Sequence, residues 1–210
     1  MNRWIVFLAA LLLPLSANAQ EVSPEAQVKN TTQEILSLVK EDKAVKSGDR
    51  RRLMELVDTK VLPHFDFARM TRLAVGRHWI NASPEQRESL VREFRNLLVR
   101  TYTNAFLTYQ KEHVIDPTVE VKQGRSERAD DVTVQTVVRN PGEQPIRVDY
   151  DMVKTPQGWK VYDVAVEDVS LVTTYRTTFN DRIQQTGVDG LIALLKDKNT
   201  SGQPLKTEAK

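Results

Sequence analysis

The sequence predicts an α+β fold, with several helices, then a four-stranded antiparallel meander, then helices again. Three observations carry this reading. Apolar side chains recur at helical spacing from Val28 to Tyr109. From Val114 the period changes to two and holds as far as Val166. After Val169 the helical spacing returns, placing Val172, Tyr175, Phe179 and Ile183 in one stripe.

Each element has its own start and stop. Ser23-Pro24 combines a capping Ser with Pro at the first helical position. The stripe that follows is Val28, Thr32, Ile35, Leu36 and Val39, and Ser47-Gly48 ends it. Asp49 can cap a second short helix carrying Leu53, Met54, Leu56 and Val57, which must stop before Pro63. A third runs from Asp66 to Val75 and ends at Gly76. Ser83-Pro84-Glu85-Gln86 has the form of a capping box, because Gln86 stands three residues after Ser83.

The helix opened at Ser83 runs to about Tyr109. With Leu90 at zero and 100° per residue, Leu97 falls at about 340°, Phe94 at about 40° and Leu98 at about 80°. Tyr102 and Phe106 continue the apolar face at about 120° and 160°. Its width of roughly 180° exceeds the roughly 100° that a one-sided surface helix needs. The helix is therefore expected to touch two things.

In the strand region Val119 and Val121 alternate with Glu120 and Lys122, and Val132, Val134, Thr136 and Val138 share a face. Asn140-Pro141-Gly142 turns the chain into Ile146, Val148, Tyr150 and Met152. Thr155-Pro156-Gln157-Gly158 turns it again, after which Tyr162, Val164 and Val166 share a face by alternation. Short turns imply antiparallel hairpins, and one apolar face implies a sheet covered on one side. Gly187 closes the next helix, and Leu191, Ile192, Leu194 and Leu195 form a last amphipathic segment.

The ends lie outside this pattern. Residues 1–19 read as a secretory signal: Arg3, an apolar run from Ile5 to Leu15, and the small-residue site Ala17-Asn18-Ala19. The run is shorter than the about 20 residues a spanning helix requires. Residues 20–198 form one domain, and 199–210 are a polar tail expected to be mobile. The expected location is the periplasm.

Composition narrows the chemistry. Apolar residues make up 40% of the 210, and charged residues 28% with a net charge of +2, which suits a soluble globular chain and argues against a general nucleic-acid binder. With no Cys, there is neither a disulfide nor a thiolate nucleophile. His64, His78 and His113 stand in no metal-ligand spacing, and no nucleophile elbow or Walker loop occurs. Asp163, Glu167 and Asp168 could supply a general base, but they sit where carboxylates usually cap a helix start. Arg50, Arg51 and Arg52 are the densest basic run, and its ordinary reading is a solvated helix face. No catalytic residue, metal ligand or cofactor emerges.

Three stretches go beyond pattern: FDFARMTRLAVGRHW from Phe65, running into SPEQRESLVREFRNLLVRTY; WKVYDVAVEDVSLVTTYRTTF from Trp159; and GVDGLIALLKDK from Gly187. Together they resemble the MlaC, or toluene-tolerance, family over about residues 31–198. The matches rest on Trp79, Pro84, Arg87, Phe94, Trp159, Tyr162, Val169, Ser170 and Gly187. The resemblance departs at Asp168, where many members carry Gly. It implies a helical half joined to a sheet in an NTF2-like cone enclosing an apolar cavity. It also implies a monomeric periplasmic phospholipid carrier, with the lipid as cargo and no cofactor. Its expected partners are an outer-membrane lipoprotein–porin complex and an inner-membrane ABC transporter, between which it would maintain outer-membrane lipid asymmetry.

On this reading the lining comes from two converging faces. Phe94, Leu97, Leu98 and Tyr102 would form one wall, and Val148, Tyr150, Met152, Tyr162, Val164 and Val166 the other. Val169, Val172 and Tyr175 would edge the mouth. Two rivals remain: a cone-fold enzyme using Asp163 or Glu167 as base, and a chaperone or adaptor with a filled core. Periodicity does not separate a filled interior from a hollow one.

Overall fold

Side-chain caps set the boundaries of the helical half. The structure, a computed structural model, describes residues 22–206 other than Val114 and Gln123. The expected signal, residues 1–19, lies outside the described residues. Helix α1 spans Pro24–Glu41, with Ser23 Oγ accepting from the Ala26 amide at 3.1 Å. The segment expected to continue to Ser47 is split at Asp42, whose extended backbone ends α1. Its carboxylate caps α2, Lys43–Lys46, by accepting from the Ala44 and Val45 amides. Arg52 Nε holds the same carboxylate at 2.7 Å, so one Arg of the basic run is structural.

Asp49 caps α3, Arg50–Leu56, as its position predicts. The chain then widens into a π turn, Val57–Val61, and tightens into a 3₁₀ turn, Leu62–His64, where Pro63 cannot continue an α-helix. Asp66 caps α4, Phe67–Val75, and Gly76 leaves it with φ 62°, a value that favours glycine. A 3₁₀ turn, Gly76–Trp79, leads to α5, Pro84–Glu112, whose capping box is complete: Ser83 Oγ accepts from Gln86 N and Gln86 Oε1 accepts from Ser83 N.

Among the described residues the sheet has six strands rather than four. They are β1 (Thr118–Val121), β2 (Arg125–Arg128), β3 (Asp131–Arg139), β4 (Ile146–Thr155), β5 (Gly158–Val166) and β6 (Val169–Ser170). The order is β1-β3-β4-β5-β6, all antiparallel, with β2 also on β3. The expected first strand is accompanied by β2; β1 pairs Thr136 to Arg139 and β2 pairs Asp131 to Thr133 of the same strand. The Gly124 amide before β2 donates to Glu25 Oε1, tying it to the start of α1. The outer edge of β5 is covered where Phe65 bridges Val161 and the Asp66 amide donates to Val161 O.

A bulge in β5 changes which residues look inward. Met152 faces Val161, but Asp151 faces Asp163, so Tyr162 is the extra residue. Trp159 and Val161 therefore share the inner face with Val164 and Val166, and Tyr162 is turned away from it. Helix α6, Leu171–Ser201, starts at the Ser170 cap and breaks at Gly187, whose φ of 71° interrupts the helical path. Asn199–Ser201 remain helical, past the boundary expected at residue 198, and Asn199 Nδ2 donates to the Glu93 carbonyl and carboxylate on α5.

Among the described residues, buried apolar side chains fall into three clusters. One joins α4, α5 and α6 around Phe94, which meets Tyr175 and Phe179 edge-on at 5.0 Å each. A second, with Val134, Met152 and Val161, lies on the inner face of the sheet against Val28 and Phe65. The third holds α1, α2 and α3 together through Val39, Val45, Leu53 and Leu56.

Candidate functional site

A pocket of about 370 Å³ lies where the three clusters meet. Val39 and Leu53 reach it from the α1–α3 cluster, Met70 and Leu98 from the helical cluster, and Phe65, Tyr150 and Val164 from the sheet cluster. The turns after α3 add Val57, Val61 and Leu62, and α5 adds Val99, Tyr102, Thr103 and Phe106. Among the described residues, no charged side chain lines it. Burial pushes up the pKa of the Tyr102 and Tyr150 hydroxyls, as a low-dielectric surrounding must.

A second pocket of about 270 Å³ adjoins the first and shares Ile35, Val61, Phe65 and Tyr150 with it. Its sheet wall is Met152 and Val161, and its helix wall is Val28 and Leu36. A separate hollow of about 700 Å³ beside α3 is lined by Asp49, Arg50, Arg51, Glu55 and Asp58. Open and charged, it offers no shelter to apolar matter.

The pockets gather part of the expected lining. Leu98, Tyr102, Tyr150, Val164 and Val166 wall the larger one, and Met152 walls the smaller. Phe94, Leu97, Val172 and Tyr175 do not reach either; they are buried in the α4–α5–α6 cluster. The division follows the two sectors of α5. Positions at about 340° to 40° face helices, and those from about 80° onward face the pocket.

Tyr162 is displaced by the bulge: its hydroxyl donates to Asp131 Oδ1 at 2.7 Å and its ring lies 4.0 Å from the Arg69 guanidinium. Val148 lines neither pocket, and Val169 is exposed on the two-residue strand β6. What alternation and spacing did not single out is the contribution of α1 and the π turn. Ile35, Leu36 and Val39 carry a visible helical stripe, but nothing in that stripe distinguishes a pocket wall from a packed one.

The candidate bases have other work. Asp163 accepts from Ser170 Oγ at 2.5 Å and from the Val164 and Val172 amides, so it builds the junction between β5 and α6. Glu167 is exposed and accepts from the Arg147 amide. Neither lines a pocket. Among the described residues, no group of three or more His, Asp or Glu is arranged to hold a metal. His78 bonds Asn180 Oδ1 and His113 stacks on Tyr109, whereas His64 lines the smaller pocket.

The family model described as MlaC protein matches residues 29–197. The toluene tolerance protein ttg2D of Pseudomonas putida is 25% identical over 191 residues, covering 90% of this chain and 85% of the relative. The intermembrane phospholipid transport system binding protein MlaC of Haemophilus influenzae is 22% identical over 214 residues, covering 98% and 96%. A solved structure of the phospholipid-binding protein from Ralstonia solanacearum, in complex with a phospholipid, is similar at a TM-score of 0.75 and 36% identity. The likeness covers 86% of this chain and 98% of that one.

Proposed function

The chain belongs to the MlaC family, and we propose that it is a periplasmic phospholipid carrier whose pockets shelter acyl chains. The observation that carries this reading is the pair of adjoining pockets, the larger apolar and the smaller mostly so, left where three separate clusters fail to merge. Two acyl chains hold about 28–30 CH₂ groups, and at roughly 0.8 kcal/mol each their exposure to water costs over 20 kcal/mol. A phospholipid therefore does not cross an aqueous compartment unaided, and a carrier must present an apolar surface in place of water. Such binding is non-directional, which agrees with a sequence in which no catalytic motif stands out.

On this proposal the carrier is not an enzyme, and it exchanges lipid with an outer-membrane lipoprotein–porin complex and an inner-membrane ABC transporter. Residues 1–19 direct export and are removed, which N-terminal sequencing of the exported protein checks. Among the described residues no helix is long and apolar enough to cross a membrane. With no Walker loop in the sequence, energy for directed transfer comes from a partner.

Organic extraction of the purified protein followed by mass spectrometry tests the carrier reading. Phospholipid in stoichiometric amount is the expected result. Protein that purifies without lipid, and takes none from vesicles, would instead favour the adaptor reading.

A further inference from the structure

The two pockets differ in their walls. The smaller has a polar corner, formed by Gln27, Thr31 and Thr32 on α1 and His64 at the end of the 3₁₀ turn. One N–H of Gln27 is well used, donating to Trp159 O at 2.8 Å. The contacts on either side of the His64 ring are long: 3.4 Å from Gln27 Nε2 to Nδ1, and 3.3 Å from Thr31 Oγ1 to Nε2. Both are long beside the 2.8 Å bond from Gln27 to Trp159 O. The corner thus holds the second Gln27 N–H, the Thr31 hydroxyl and an imidazole N–H, all loosely engaged beside an apolar space.

We propose that this corner reads the ester linkages of the carried lipid, its donors bonding the acyl-ester carbonyls while the tails run inward past Phe65 and Tyr150. The inference rests on the carrier reading above. Three features support it. An ester carbonyl accepts hydrogen bonds and donates none, so it matches a cluster with donors to spare. Ile35, Val61, Phe65 and Tyr150 line both pockets, so a chain anchored at the corner meets apolar walls continuous with the larger pocket. Burial first and then the Lys160 ammonium lower the His64 pKa, with Glu34 opposing, which favours the neutral ring beside a neutral ester.

The test is competitive loading of delipidated protein from vesicles containing equal amounts of a diacyl phosphatidylethanolamine and its dialkyl-ether analogue. The analogue has the same headgroup and tails but no ester carbonyls. The wild-type protein is expected to enrich the ester lipid by about three- to tenfold, the discrimination that one or two hydrogen bonds supply. Thr31→Val combined with His64→Phe, which leaves the Gln27 N–H as the corner's remaining donor, is expected to lower that ratio at least twofold, and Thr31→Val with His64→Gln, which restores an N–H, to recover part of the loss. Because the readout is a ratio, a general loss of capacity cancels, and thermal unfolding establishes that each variant is folded. A wild-type ratio near one, or a preference undiminished in the Thr31→Val, His64→Phe protein, would overturn the inference while leaving the carrier intact. Uptake of neither lipid by the wild-type protein would overturn both.

Discussion

Glu167 and Asp168 form the two-residue turn between β5 and β6, closed by the pairing of Val166 with Val169. Both have positive φ, 48° and 67°, as a type I′ hairpin turn requires. Its second position favours glycine, which is the residue the family resemblance leads one to expect where Asp168 stands. The Asp168 carboxylate pairs with Arg147 but is largely exposed, so that pair contributes little. Asp168→Gly is therefore expected to stabilise the protein by about 0.5–1 kcal/mol, raising Tm by about 1–4 °C, measured by thermal unfolding. An unchanged or lowered Tm would mean that the ion pair outweighs backbone strain. The departure was visible in the sequence; its backbone cause was not, because φ is not written in residue type for a tolerant residue such as Asp.

At the level of elements, α5 and β5 show where periodicity succeeds and where it stops. The wide apolar face of α5 predicts two contacts, and the structure supplies them: Leu90, Phe94 and Leu97 against helices, Leu98, Tyr102 and Phe106 along the pocket. In β5 alternation predicts Tyr162 beside Val164, but one extra residue shifts the phase between Val161 and Asp163. A bulge is set by pairing across strands, which one strand's pattern does not contain. The hydroxyl of Tyr162 bonds Asp131, which also holds Arg69 at 2.8 Å and so ties α4 to β3. Tyr162→Phe is expected to cost about 1.5–3 kcal/mol, the value of a bond to a charged acceptor, in denaturant unfolding. Phospholipid content should not change, since the ring lies outside both pockets; a variant of undiminished stability that loses its lipid would contradict this placement.

Across the whole molecule, the order of helices, sheet and helices is legible because each element buries a stripe or face with its own period. The hollow is not legible, because a spacing rule records which side chains turn inward and not whether they meet. Val39, Met70 and Val164 each look like ordinary core residues in their own elements. They become pocket walls only because three clusters, one helical, one on the sheet and one around α1, approach without merging. Family resemblance points to an apolar cavity in general terms; the contributions of α1 and the π turn come from the structure. Native mass spectrometry of the wild-type protein beside Val164→Trp, which fills the larger pocket from the sheet side, tests this most directly. The wild-type protein should carry the mass of a bound phospholipid, and Val164→Trp should remain folded and lose most of it. Full retention of phospholipid by the folded variant would contradict the proposal that the pocket at the junction of the clusters is where the lipid resides.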